Sequence, residues 1–266
     1  MGIPKIIHYC WFGKNPKSEL ALKCIESWKR YCPDYEIIEW NEDNFDICYC
    51  DYVREAYEAK KWAFVSDVAR LYALVNYGGI YMDTDVELLK SLDEFLLYEA
   101  VSGFEAKDRI PTGLMACRKE HPLFMELLHD YDDAHFIYED GTFDTTTNVI
   151  RITNICLQHG LRLDNTLQTV KDFTLFPNDY FCPKSHDDGI VRITPNTYAI
   201  HWFAGSWLDK DKKEMQTLMQ RMNRCFGQKN GEIVFGIYSC IKAEGLGCYL
   251  WNRMRKYIRK IIETNS

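Results

Sequence analysis

Residues 61–87 read KWAFVSDVARLYALVNYGGIYMDTDVE. Phe64, Val68, Leu71 and Val75 recur at three- and four-residue spacing, the apolar stripe of an amphipathic helix. The helical pattern extends back to residue 52, so 52–77 predicts one long helix, ended at its C-cap by Gly78-Gly79. Ile80 to Leu89 (IYMDTDVELL) then reads as an apolar strand with acidic residues toward its far end. Working outward, residues 5–11 (KIIHYCW) predict a short buried strand that ends in a Trp-Phe-Gly loop. Ser18 to Tyr31 predicts a helix with Leu20, Ile25 and Trp28 near one face and Pro33-Asp34 as its stop. Tyr35 to Trp40 (YEIIEW) predicts a second strand. A strand–helix–strand opening favours an α/β domain with a Rossmann-like parallel central sheet flanked by helices. Residues 100–200 alternate short strands and helices, including a helix at 121–131 (HPLFMELLHDY). After His201-Trp202 the character changes. Asp209 to Glu214 reads as a charged hinge and 215–266 as a helical tail broken at Gly227 and Gly245, which divides the chain into a main domain, 1–208, and a helical C-terminal extension, 209–266.

Composition narrows the function classes. A net charge of −7 argues against nucleic-acid binding, because phosphate backbones reward a basic face. An acidic protein that binds a diphosphate is expected to place a cation between them. The 11 cysteines are odd in number and scattered, with no C-x-x-C pair, which points to the reducing cytoplasm rather than a disulfide framework. The N-terminal MGIPKIIHYCWFG lacks the basic and long apolar regions of a signal peptide, and Ile6 stands where myristoylation expects Ser or Thr. No run approaches the length of a membrane span.

The chemistry-bearing residues begin with Asp83-Thr84-Asp85. Alternation along a strand would place both carboxylates on one side, where they repel unless a cation or a proton intervenes. Oxygen ligands of this kind suit Mg²⁺ or Mn²⁺ bridging to a diphosphate; the bland alternative is an exposed acidic strand end. Asp67 lies on the apolar stripe of the preceding helix with Arg70 three residues on. Charge that faces a core needs a partner or a ligand, so the two form an internal ion pair, hold a polar ligand such as a sugar, or both. Trp11 closes the first strand, where α/β sheets place their ligand crevice; it is either a core residue or a stacking platform. His201, with Ser206 and the Trp202 and Trp207 rings nearby, is either a satisfied core histidine or the completion of a metal and nucleotide site. Finally, Leu250, Trp251, Met254, Tyr257, Ile258, Ile261 and Ile262 recur at helical spacing, with Arg253, Arg255, Lys256, Arg259 and Lys260 between them. This basic amphipathic segment, 250–262, suits an anionic membrane surface, or else packs its apolar stripe on the main domain.

The segments IPKIIHYCWFG (3–13), KWAFVSDVARLYALVNYGGIYMDTDVE (61–87) and IHWFAGSW (200–207), in that order, resemble the D-x-D glycosyltransferases of family 32. That group includes bacterial capsular-polysaccharide transferases and relatives of yeast Golgi mannosyltransferases; the sugar-transferring domains of large clostridial toxins share a looser version. The likeness spans about residues 3–208. It implies a GT-A type α/β fold, a nucleotide-sugar donor (UDP-galactose or UDP-glucose first, GDP-mannose behind), Mn²⁺ or Mg²⁺, and retention at the anomeric carbon. The implied acceptor is a glycan or lipid-linked glycan of capsular or surface polysaccharide, made at the cytoplasmic face of the membrane. By resemblance, Trp11 stacks on the base, and Asp67 and Arg70 match the S-D-x-x-R element that holds the donor sugar. Asp83 touches sugar or ribose, Asp85 and His201 ligate the metal, Ser206 joins the donor site, and Trp207 closes over the diphosphate. Many relatives have Asn where this chain has Pro111-Thr112-Gly113, which leaves the acceptor side open. Two rivals stand beside this reading. A haloacid-dehalogenase-type phosphatase also uses a strand-borne D-x-D, but normally at the opening of its domain; a non-catalytic nucleotide-sugar scaffold would keep the same pocket.

Overall fold

The computed structural model describes residues 2–106, 109–110, 113–205 and 210–244. Its chain divides into two compact units, Met1–Ser185 with Val191–Trp207, and His186–Ile190 with Leu208–Ser266.

The first unit is a mixed α/β layer structure. Strand β1 (Ile6–Cys10) leads into helix α1 (Glu19–Tyr31), strand β2 (Glu36–Trp40), helices α2 (Asp51–Glu58) and α3 (Trp62–Tyr77), and strands β3 (Gly79–Met82) and β4 (Val86–Leu88). Strands β5 (Ala100–Gly103) and β6 (Leu114–Cys117), helices α4 (Pro122–His129) and α5 (Asn148–Gln158), and strands β7 (Gln168–Val170), β8 (Phe173–Phe176) and β9 (Ala199–His201) complete it. The main sheet runs β2-β1-β3-β6-β5-β8-β7, and β4 pairs with β9 in a separate ribbon.

The parallel expectation holds for the β2-β1-β3 half and for the β5–β8 pair. Strand β6 is antiparallel to both β3 and β5, and β7 is antiparallel to β8, so the sheet is mixed. The reason is connection length: parallel neighbours need a crossover of roughly a dozen residues or more, and β5 returns to β6 through a short loop.

Two apolar layers cover the sheet. One joins α3, α4 and α5 to Cys10, Tyr81 and Met115. The other joins α1 to Ile7, Tyr9, Ile80, Met82, β4 and β9. Alternation along β1 and β3 therefore sends successive side chains to opposite layers. Helix α1 forms as its sequence predicts: the Ser18 hydroxyl accepts from the Ala21 N–H at 3.1 Å, with Glu19 in the first turn and Lys29 and Arg30 in the last, as the helix dipole favours. Its buried Trp28 donates from Nε1 to the Val86 carbonyl at 2.7 Å, and the Leu88 N–H donates to Ser27 Oγ at 2.9 Å. Helix α1 thereby fixes β4.

The long helix predicted over 52–77 is two helices. Lys60 adopts a left-handed φ of 58°, and the Lys61 N–H returns to the Ala56 carbonyl at 2.8 Å, which closes α2 before α3 begins. The Gly78-Gly79 turn is required where it stands. Their φ values are 67° and 103°, and a side chain would lie 2.6 Å from the Lys119 nitrogen at Gly78 and 2.7 Å from the Ile6 carbonyl oxygen at Gly79.

In the second unit, α6 (Lys210–Phe226) and α7 (Gln228–Glu244) meet at Gly227 (φ 75°), the first of the two predicted breaks; the second, Gly245, lies outside the described residues. The expected charged hinge at 209–214 is instead largely the first turn of α6. Asn223 Nδ2 donates to the Asp187 carbonyl at 2.7 Å, and Gln220 Nε2 to that of His186 at 3.1 Å, which ties residues 186–190 to α6. Among the described residues no helix is long and apolar enough to cross a membrane. The segment 250–262 lies outside the described residues, as do Pro111, Thr112, Ser206 and Trp207.

Candidate active site

Asp83 and Asp85 do not share a strand. The run Ile80 to Leu89 breaks into β3 and β4, which belong to different sheets, and a turn joins them: the Val86 N–H donates to the Asp83 carbonyl at 2.9 Å. The turn still brings the two carboxylates together, now with His201 from β9. One ligand atom from each of Asp83, Asp85 and His201 lies within 4.8 Å of the others. His201 Nε2 is 3.3 Å from Asp85 Oδ1 and 3.9 Å from Asp83 Oδ2.

Each member is anchored by backbone. The Asp83 N–H donates to the Gly113 carbonyl at 2.8 Å, at the entrance to β6. Asp85 is held twice: its carbonyl accepts from the Trp202 N–H at 2.9 Å and its Oδ2 from the Ala204 N–H at 2.7 Å. Phe203 makes the second bond reachable by adopting a left-handed φ of 51°. His201 pairs with Val86 in the β4–β9 ribbon, so it follows the D-x-D turn in register.

Behind this cluster sits a buried charge relay. Arg70 is 5% exposed and Asp67 9%, so neither charge is left to water. Arg70 Nη2 lies 3.1 Å from Asp67 Oδ1 and Nη1 3.3 Å from Asp83 Oδ1, while Nε donates to the Ser66 carbonyl at 3.1 Å. The guanidinium lies 4.6 Å from the Tyr81 ring centre, and the Tyr81 hydroxyl donates to Asp83 Oδ1 at 2.9 Å. The Asp67–Arg70 ion pair is therefore real, and Arg70 joins it to the D-x-D element.

The electrostatics match the geometry. Burial pushes the Asp67 carboxyl up to about 6, with Arg70 opposing and Asp83 adding to the rise. Burial also opposes ionisation of Asp85, but His201 and the Ala204 N–H outweigh it and bring Asp85 down to about 2. Burial alone would lower His201; Asp85 overrides it and holds the imidazole well above its usual range. A proton on His201 here does what a cation would do: it sits between two carboxylates that otherwise repel. Two carboxylate oxygens and an imidazole nitrogen within ligand reach form a donor set that fits a divalent metal ion.

Trp11 follows β1 and is partly exposed, with Nε1 donating to the Asn15 carbonyl at 2.7 Å and Lys17 Nζ 5.7 Å from its ring centre. Residue reasoning did not single out Tyr81, Phe203 or Ala204 as parts of the site. Tyr81 was the accessible one, two residues before Asp83; Phe203 and Ala204 act through a loop conformation that no periodicity reveals.

Residues 18–102 match a family described as "Glycosyltransferase sugar-binding region containing DXD motif". Inositol phosphoceramide mannosyltransferase 3 of Schizosaccharomyces pombe is 30% identical over 140 residues, 51% of this chain and 39% of that protein. Mannosyl phosphorylinositol ceramide synthase CSH1 of Saccharomyces cerevisiae is 25% identical over 236 residues, 84% of this chain and 57% of that protein. The chain thus spans about half the length of the curated relatives it matches. Among solved structures, a glycosyltransferase involved in glycosylation of the major capsid of PBCV-1 aligns over 80% of this chain and 99% of its own, at 12% identity and a TM-score of 0.42. The PaToxG glycosyltransferase aligns over 48% of this chain and 60% of its own, at 20% identity and a TM-score of 0.42. The two fungal relatives carry names from mannosyl transfer, not from capsule synthesis. The matched stretch runs from α1 to β5 and takes in the D-x-D turn.

Proposed function

We propose that this chain is a divalent-metal-dependent glycosyltransferase that moves a hexose from a nucleoside-diphosphate sugar with retention of configuration. The observation that carries the reading is the convergence of Asp83, Asp85 and His201 beside the buried Asp67–Arg70 pair. A bound cation would act as a Lewis acid and offset negative charge on the departing diphosphate. Asp85 and His201 are its ligands in this reading, and Asp83 faces both the cation and the sugar or ribose. Asp67 and Arg70 supply an acceptor and a donor for sugar hydroxyls from positions already locked by their mutual bonds. Trp11, at the end of β1, offers a ring face to the base; by resemblance Ser206 would join the donor site and Trp207 would close over the diphosphate, both outside the described residues. Among the described residues no carboxylate is assigned as a covalent nucleophile, so front-face displacement is the reading adopted. The imidazole ligand favours Mn²⁺ over Mg²⁺.

The names of the fungal relatives move mannose, and so GDP-mannose, ahead of the UDP-hexoses expected from the motif alone. They also favour a lipid-linked acceptor bearing an inositol phosphate over a capsular polysaccharide. The test is a panel of UDP-glucose, UDP-galactose and GDP-mannose with Mn²⁺, scored for nucleoside diphosphate release with and without EDTA. Release from one donor, lost in EDTA, is expected. Release undiminished by EDTA would remove the metal, and silence across the panel would remove the transferase reading.

A further inference from the structure

A histidine that ligates a metal is ordinarily oriented through its second ring nitrogen, which bonds a carbonyl or carboxylate behind it. His201 lacks that device. Its Nδ1 is buried and meets no carbonyl or carboxylate partner among the described residues. A buried thiol, Cys182, is a polar neighbour of the ring, but a thiol is a weak partner. Something other than a strong hydrogen bond must hold the imidazole in register with Asp85.

Packing supplies it. A Cβ built on Gly113 would lie 2.6 Å from His201 Cε1, 2.7 Å from Nδ1 and 3.2 Å from Nε2, far inside van der Waals contact. The ring therefore occupies the space that any other residue at 113 would fill. The Phe203 ring packs against the same imidazole, with centroids 4.1 Å apart and planes at 40°. The Gly113 carbonyl meanwhile accepts the Asp83 N–H at 2.8 Å. One residue thus ties the backbone of the first aspartate and leaves room for the histidine.

We propose that Gly113 is a positioning residue of the metal centre: its missing side chain sets the place of the His201 imidazole, which Phe203 packs against, before any cation arrives. The proposal rests on the metal reading above for its consequence, but not for its geometry. A methyl group at 113 displaces the ring from its present place beside Asp85, because the backbone of residue 113 is held by Asp83 and adjoins the β3–β6 ladder.

The experiment is a double-mutant cycle on Mn²⁺ affinity, read by electron paramagnetic resonance of free Mn²⁺. It uses the 266-residue chain as wild type, Gly113→Ala, His201→Ala and the double variant. Gly113→Ala is expected to weaken Mn²⁺ about 10- to 100-fold, the range for a lost orienting contact. In the His201→Ala background the same change is expected to cost less than about twofold, since no ring remains to displace. An equal cost in both backgrounds would mean that Gly113 acts through Asp83 or the strand, and would overturn the proposal, as would wild-type affinity in Gly113→Ala. A second arm needs no cation. In metal-free protein the His201 ¹³Cε1–¹H resonance, from the atom nearest the absent Cβ, is expected to move in Gly113→Ala, and an unmoved resonance would overturn the geometry. If Gly113→Ala is too unstable to assay, its melting temperature should be restored by adding His201→Ala; no restoration also counts against the proposal. Wild type that binds no Mn²⁺ but shows the resonance shift would sink the metal reading and leave the packing role standing.

Discussion

Asp85 is held by the Trp202 and Ala204 N–H groups and by His201, so its carboxylate is preorganised and costs little to orient. Asp85→Asn keeps the shape and removes the charge that a hard cation requires. Mn²⁺ affinity and turnover should each fall at least about a hundredfold, more than an outer contact alone costs, with an unchanged circular dichroism spectrum. Turnover within a few-fold of wild type would discard Asp85 as a ligand. Arg70 poses a sharper geometric question, because three acceptors, on Asp67, Asp83 and Ser66, surround one planar guanidinium. A lysine ammonium is a point charge and cannot span all three. Arg70→Lys should therefore recover less than about a tenth of the kcat/KM lost in Arg70→Ala; near-complete recovery would mean that charge alone suffices. Asp67, Arg70, Asp83, Asp85 and His201 were all legible as chemistry, since each is a polar residue in an apolar setting. The reason first given for the aspartates was wrong: they meet across a turn between two sheets, not along one strand. Gly113 was not legible in its role, because its contribution is an absence of atoms that only a neighbouring ring reveals.

At the scale of elements, the Gly78-Gly79 turn and strand β1 are coupled by one histidine. Trp40 Nε1 can only donate, and it lies 3.1 Å from His8 Nδ1, so Nδ1 accepts and Nε2 carries the proton to the Gly78 carbonyl at 2.8 Å. His8 is fully buried, and that burial outweighs the Gly78 bond and lowers its pKa from 6.5 to about 4. Between those values the unfolded chain binds a proton that the folded one refuses, so stability rises with pH across the window. The contribution is present above about pH 6.5 and is lost as pH falls toward 4, amounting to about 3 kcal/mol as an upper figure. His8→Gln can accept from Trp40 and donate to Gly78 without titrating, so its unfolding free energy should vary less steeply between pH 6.5 and 4. Identical slopes in denaturant titrations of the two proteins would show that His8 is not the group responsible. The elements themselves were largely readable: α1, β1, β2 and α4 lie where caps and periodicity put them. The break at Lys60 was not, because nothing in Glu58-Ala59-Lys60-Lys61 disfavours helix locally, and the left-handed residue shows only in the turn that closes α2. Strand direction was also hidden, although the ten residues between β5 and β6 favour an antiparallel pair once both strands are placed.

Charge is unevenly distributed over the whole chain. Residues 208–266 hold 12 Lys and Arg against 6 Asp and Glu, whereas residues 1–207 hold 20 against 33. The acidic larger part is repelled by an anionic membrane and the basic end is drawn to it, so a docked molecule would present its C-terminal extension first. Five of those basic residues, with Trp251 and six further apolar side chains at helical spacing, fall in 250–262. A lipid-linked acceptor would make such attachment useful, since it confines enzyme and substrate to one surface. We accordingly propose peripheral attachment through this segment to the anionic, cytoplasmic face of a membrane. Juxtamembrane basic residues contribute about 1 kcal/mol each at low salt, and buried apolar side chains add to that. The full chain and a form ending at Gly247 would be compared by co-sedimentation with neutral vesicles and with vesicles containing anionic lipid. The full chain should bind anionic vesicles at least tenfold more tightly than the shortened form, and raising salt from about 0.1 to 0.5 M should remove most of the difference as the Debye length contracts. Nucleoside diphosphate release from a soluble donor should be the same for both forms, because the site residues all lie within 1–207. Equal binding by the two forms, or none by either, would return residues 250–262 to packing against their own chain.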